Sequence, residues 1–180
     1  MPADAVTEHL RSLVREIPGF PQEGVLFYDI TTVLKDPGAY RAAVDLMAAP
    51  WRGAGIDIVV AMESRGFIFG APLAYLLGAG FAPIRKLGKL PSDTVSREYS
   101  LEYGTNTLEI HTDAIQPGQR VLLVDDLLAT GGTVAASLDI VLELGGFPAG
   151  VVVLVELPAL QGRGRLDPYG VDVVSFISYP

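Results

Sequence analysis

Residues 121–137 run from four apolar residues through two adjacent carboxylates, Asp125 and Asp126, into a loop of small residues, Ala129, Thr130, Gly131, Gly132 and Thr133, that opens a helical pattern. The β-branched and leucine run suits a strand covered on both faces, as in a parallel sheet. Ligands of such sheets bind beyond the carboxyl ends of the strands. The loop lacks Cβ atoms at two consecutive positions, and Val134, Leu138, Val141 and Leu142 follow at helical spacing. Free amides and a helix N-terminus therefore point at one anion. Thr130 and Thr133 add hydroxyl donors, and the lysine of a triphosphate-gripping loop is absent. Asp125 and Asp126 would repel a phosphate they touched. They suit a sugar diol, which donates two hydroxyls, or a divalent cation. The ligand implied is a ribose 5-phosphate.

At 180 residues, 49% hydrophobic and 19% charged, the chain is expected to form one globular α/β domain over residues 1–180. The apolar span 56–80 is broken by Glu63, Ser64 and Arg65, so no membrane segment is expected. The amino terminus does not read as a signal peptide. The absence of cysteine removes disulfides and thiolate metal sites and is compatible with a reducing cytosol. A net charge of −8 argues against a nucleic-acid partner, and Arg163 and Arg165 do not reverse that. The two histidines lack metal-ligand spacing.

Before the central motif, Val6, Leu10, Leu13, Val14 and Ile17 predict an amphipathic helix over about residues 4–16, stopped by Pro18 and Gly19. Residues 20–32 read as a loop that keeps large apolar side chains, which such loops pack onto something. A second helix starts at Asp36, Pro37 and Gly38 and ends near Trp51. An apolar strand at 56–62 meets Glu63, Ser64, Arg65 and Gly66, then a helix over 67–77, repeating the strand, anion-loop, helix design. A strand at 81–84 is followed by the basic residues Arg85, Lys86 and Lys89 in a turn. Alternation in Tyr99, Leu101, Tyr103, Leu108 and Ile110 predicts a β-hairpin inside a flexible lid over about 91–110. Buried strands are expected at 149–157 and 171–177.

The string Val-Asp-Asp-Leu-Leu-Ala-Thr-Gly-Gly-Thr resembles the 5-phosphoribosyl 1-diphosphate (PRPP) motif of type I phosphoribosyltransferases, in the wording of the adenine phosphoribosyltransferase family. Three further segments resemble that family in the same order: the 20–32 segment as a hood over the base, Glu63-Ser64-Arg65-Gly66 as a diphosphate loop, and residues 97–104 as a flexible lid. The chain departs from the family at Tyr28, where a basic residue is common, and at Leu87, often polar or basic there.

The resemblance implies a mainly parallel central sheet flanked by helices, a small hood, and transfer of phosphoribose from PRPP to adenine, giving AMP and pyrophosphate in purine salvage. It assigns Ala129, Thr130, Gly131, Gly132 and Thr133 to the 5-phosphate and Asp125 and Asp126 to the ribose. Ser64, Arg65, Gly66, Arg85, Lys86, Lys89 and Tyr99 fall to the diphosphate. Val25, Leu26, Phe27 and Leu157 fall to adenine, and Glu98 becomes a general acid/base. It also implies Mg²⁺, held mainly by PRPP with Asp125 and Asp126 nearby, a homodimer, and a cytoplasmic location. A transferase for a 6-oxopurine and a non-catalytic PRPP- or nucleotide-binding regulator remain alternatives.

Overall fold

The computed structural model describes residues 3–100 and 105–179. It divides into two compact units, Met1–Leu46 and Met47–Pro180.

The first unit begins with α1 (Ala3–Leu13), whose Leu10 is fully buried. The helix expected to reach residue 16 ends earlier, because the next residues have a partner elsewhere. Strand β1 (Arg15–Pro18) pairs antiparallel with β2 (Leu26–Asp29), so that Ile17 faces Phe27 and Arg15 faces Asp29. A carboxylate opposite a guanidinium, with Pro18 unable to continue a helix, outweighs the local 3.6 period. Part of the expected 20–32 loop is thus strand. The Arg15 side chain and the Thr31 amide, 2.9 Å from Asp29 Oδ1, hold the Asp29 carboxyl down to about 2. Two helices follow, α2 (Thr31–Leu34) and α3 (Pro37–Ala48), with Asp36 Oδ1 accepting from the Ala39 amide at 2.7 Å at the start of α3.

The second unit comprises β3 (Ile58–Met62), α4 (Arg65–Leu77), β4 (Gly80–Lys86), β5 (Thr94–Ser100), β6 (Thr105–His111), β7 (Arg120–Leu128), α5 (Gly132–Glu143), β8 (Phe147–Glu156), α6 (Gly162–Leu166) and β9 (Val173–Ser178). Its seven-stranded sheet has the order β5-β6-β4-β3-β7-β8-β9. β4, β3, β7, β8 and β9 run parallel, and the β5–β6 hairpin is added antiparallel along β4. The architecture is the expected α/β fold, a mainly parallel sheet flanked by helices.

Parallel pairing explains the apolar strands. Val59 to Met62, Val121 to Val124 and Val151 to Val155 are almost wholly removed from solvent, because side chains on both faces meet protein. Val60, Leu123 and Val153 share one face with Val134, Leu138 and Val141 of α5, while α4 packs on β3 and β7. Trp51 is buried with its ring against Gly150. The parallel order brings the carboxyl ends of β3 and β7 side by side.

Candidate active site

β7 does not stop at Val124 as the sequence suggested. It continues to Leu128, pairing Asp125 with Val153 and Leu128 with Glu156, so both carboxylates lie within a strand. Pairing with β3 ends at Val124, and beyond that point Gly66 takes the neighbouring space. A Cβ there would stand 2.9 Å from the Val124 carbonyl oxygen and 3.0 Å from Asp125 Oδ1, so only glycine allows the approach. Asp125 Oδ1 accepts from the Asp126 amide at 2.9 Å. Asp126 is 3% exposed, and its Oδ2 lies 3.0 Å from Arg65 Nε.

Burial pushes the pKa of Asp125 well up, and the neighbouring Asp126 charge adds to it. Burial also raises Asp126, although Arg65 opposes the shift. Two carboxylates so close, one of them half-buried, resist ionising together. They are poised for hydroxyl donors or for a cation.

The strand then delivers Ala129 and Thr130 into the turn at Gly131, whose φ of +76° and tight surroundings suit glycine alone. α5 starts at Gly132 without a capping side chain, leaving its first amides for a ligand. Asp125, Leu127, Leu128 and the loop through Val134 line a concavity of about 70 Å³. A small oxyanion at the end of a twelve-residue helix is what this geometry accepts.

The second loop works differently. α4 begins at Arg65 after Ser64, again without a side-chain cap. Arg85 and Lys86, expected in a turn, are the last residues of β4 and pair with Glu109 and Leu108 of β6. The hairpin alongside is what extends the strand. Glu63 Oε2 accepts from Arg85 Nε and from the Lys86 amide, both at 3.1 Å. Glu109, 3% exposed, accepts from the Lys89 and Leu90 amides at 2.9 and 3.0 Å. Burial works to raise both glutamates, but backbone donation from Lys86 to Glu63 and from Lys89 and Leu90 to Glu109 brings them below the usual carboxylate value.

Sequence reasoning missed these two glutamates. Glu63 gave a signal, a carboxylate at a strand's end two residues before Arg65. Glu109 gave none, since its partners lie on another element.

The hairpin forms as expected, in the register Glu98 to Thr107 and Tyr99 to Asn106. The expected lid residues Leu101, Glu102, Tyr103 and Gly104 lie outside the described residues. Glu98 and Tyr99 line a cavity of about 210 Å³ with Gly132, Ala135, Ala136, Asp139 and Arg165. They are not among the residues lining the smaller concavity, although Gly132 lines both. An Arg97 to Glu143 ion pair ties β5 to α5.

Leu157 follows the last residue of β8 and donates its amide to the Leu128 carbonyl at 2.9 Å, beside the loop. Val25, Leu26 and Phe27 belong to the first unit. There Leu26 is 40% exposed, and Phe27 meets Phe20 edge-on with ring centroids 5.1 Å apart. Among the described residues, no group of three or more His, Cys, Asp or Glu is arranged to hold a metal, and no helix is long and apolar enough to cross a membrane.

Residues 30–178 match the family described as the phosphoribosyl transferase domain. The chain is 56% identical over 166 residues to the adenine phosphoribosyltransferase of Acetivibrio thermocellus, covering 92% of this chain and 97% of that one. It is similar to the crystal structure of adenine phosphoribosyltransferase from Thermoanaerobacter pseudethanolicus, with a TM-score of 0.92, 52% identity, and coverage of 96% of this chain and 99% of that one. The enzyme from Saccharomyces cerevisiae, crystallised with an imino-altritol bisphosphate and adenine, is 36% identical with a TM-score of 0.91, covering 96% and 99% of the two chains.

Proposed function

The chain belongs to the phosphoribosyl transferase family, and from that premise we propose that it is an adenine phosphoribosyltransferase, converting adenine and PRPP to AMP and pyrophosphate. The observation that carries this reading is the uncapped start of α5 after Gly131, set beside the half-buried Asp125 and the buried Asp126. That juxtaposition offers backbone donors to a 5-phosphate and carboxylates to the ribose hydroxyls one strand turn away. The choice of adenine rests on the relatives, which match nearly the whole chain.

In the reaction the bond from ribose C1′ to the diphosphate oxygen breaks, a bond from C1′ to the purine nitrogen forms, and the purine gives up one proton. Negative charge grows on the leaving oxygens. Ser64, Arg65 and Gly66 with Arg85, Lys86, Lys89 and Tyr99 receive it. Arg65 and Arg85 already sit in ion pairs, with Asp126 and Glu63, so each exchanges or shares its carboxylate when the diphosphate arrives. Positive charge on the sugar ring is tolerated beside Asp125 and Asp126. Val25, Leu26, Phe27 and Leu157 hold the base, and Glu98 manages its proton.

Two adjacent carboxylates, resistant to ionising together, make no strong direct Mg²⁺ site of their own, so the ion would be held mainly by PRPP with Asp125 and Asp126 nearby. When bound, the ion adds positive charge at the leaving group. The same reading takes the chain as one working transferase domain with a hood at 20–32 and a lid at 91–110, acting in the cytoplasm as a homodimer.

The test is nucleotide and pyrophosphate release from PRPP and Mg²⁺ with adenine, hypoxanthine, guanine and xanthine supplied separately. AMP from adenine alone is the expected result. Product from a 6-oxopurine instead would overturn the base assignment, and PRPP binding without pyrophosphate from any purine would make the protein a regulator.

A further inference from the structure

The phosphate loop is held from behind by a second stretch of bare backbone. A Cβ on Gly131 would stand 2.5 Å from the Gly162 carbonyl oxygen. One on Gly162 would stand 2.3 Å from the Ala129 carbonyl oxygen and 3.1 Å from the Gly131 amide nitrogen. The obstructing atoms are main chain on both sides, so no rotamer change relieves the clash and one segment has to move.

The approach is a built one. Gln161 takes φ +54°, the sole non-glycine residue described in the left-handed region, and turns the chain into α6 at Gly162. The next residue, Arg163, grips Glu156 through Nε to Oε1 and Nη2 to Oε2, each 2.7 Å, and donates Nη1 to the Val173 carbonyl at 2.8 Å. A bidentate pair on a carboxylate that is 6% exposed ties α6 to β8 and β9. Gly164, two residues on, has nothing within 4 Å of its Cβ position.

We propose that Gly162 is a positioning residue for phosphate binding. It touches no ligand, but it sets the height of the loop backbone at Ala129 and Gly131 against the sheet, and Arg163 holds it in place. This rests on reading the loop as the 5-phosphate site.

The experiment compares Gly162→Ala with Gly164→Ala for ribose 5-phosphate affinity by calorimetry and for KM of PRPP and of adenine. Gly162→Ala is expected to weaken ribose 5-phosphate and raise the PRPP KM by about tenfold, with the adenine KM unchanged, because a displaced loop loses only its own ligand. Gly164→Ala should match the parent protein in every column. Should Gly162→Ala fail to unfold cooperatively in urea, Arg163→Met supplies the comparison, with a smaller loss in the same direction. Unchanged ribose 5-phosphate affinity in a folded Gly162→Ala protein, or an equal rise in both KM values, would overturn the proposal. The calorimetric arm decides it even if no purine is turned over, so its failure and that of the transferase reading are told apart.

Discussion

The second unit contains the same device twice, a parallel strand, a short loop and a helix with an uncapped start, yet the two copies treat charge in opposite ways. The loop after β7 offers backbone amides and hydroxyls and contains no cation. Its charged neighbours are carboxylates that burial keeps from ionising freely. The loop after β3 is surrounded by Arg65, Arg85, Lys86 and Lys89, with Arg65 and Arg85 paired to acids and Glu63 and Glu109 ordering the backbone. A group that keeps its charge throughout a reaction is served by fixed dipoles. A group that gains charge on leaving is served by cations held ready on exchangeable partners.

Replacing a carboxylate by its amide on each side should break this comparison if it is wrong. Asp125→Asn is expected to cost about 10²-fold or more in kcat/KM while stabilising the ligand-free protein by about 1 kcal/mol. A carboxyl raised in the folded state binds more protons there than when unfolded, so its share of stability is full at low pH and is lost as pH rises through the folded value. Urea unfolding between pH 4 and 8 should therefore show a falling contribution in the parent that the variant lacks. Equal activity with lower stability would contradict both halves.

Glu98 belongs to neither loop and sharpens the contrast by leaving phosphate affinity alone. Glu98→Gln is expected to lower kcat by about 10²-fold with the PRPP KM unchanged. A steady-state rate near that of the parent would remove Glu98 from proton transfer.

Glu63→Gln should move stability the other way, lowering it by about 1 kcal/mol at neutral pH because the Lys86 amide and Arg85 lose a charged acceptor on a partly solvated pair. Glu63 is lowered in the fold, so that contribution is complete above its unfolded pKa and disappears as pH falls through the folded value. Denaturation curves of the two proteins should converge in acid. A gap that persists there would mean Glu63 acts through packing.

The smallest effect is electrostatic. Lys89→Met is expected to raise the PRPP KM about threefold in low salt and less in high salt, because an exposed cation is screened. Thr130→Val, at the backbone-built loop, should show a shift that salt does not alter. Identical salt dependence at the two positions would erase the distinction between them.

The sheet was legible early because burial on both faces of a parallel strand leaves a continuous apolar run, as at 58–62, 121–124 and 151–155. The motif residues were legible for a related reason: an anion loop needs missing Cβ atoms in consecutive positions, and Gly131 and Gly132 advertise that need locally. Strand ends were less so. β4 reaches Lys86, and β1 takes residues assigned to a helix, because their hydrogen-bond partners come from β6 and β2. Glu98 was expected in a hairpin and is in one, but its place on the flank of α5 depends on how the hairpin folds over that helix.

Sequence alone thus determined the fold class, the two strand–loop–helix segments and the family, since each depends on residue types within a few positions of one another. Tertiary structure decided which acids hold which cations, how far Asp125 and Asp126 are driven from ionising, and why Gly162 has no side chain. Those depend on distances between segments that the chain separates widely, and a pairing energy or a steric contact exists only once the fold has brought them together.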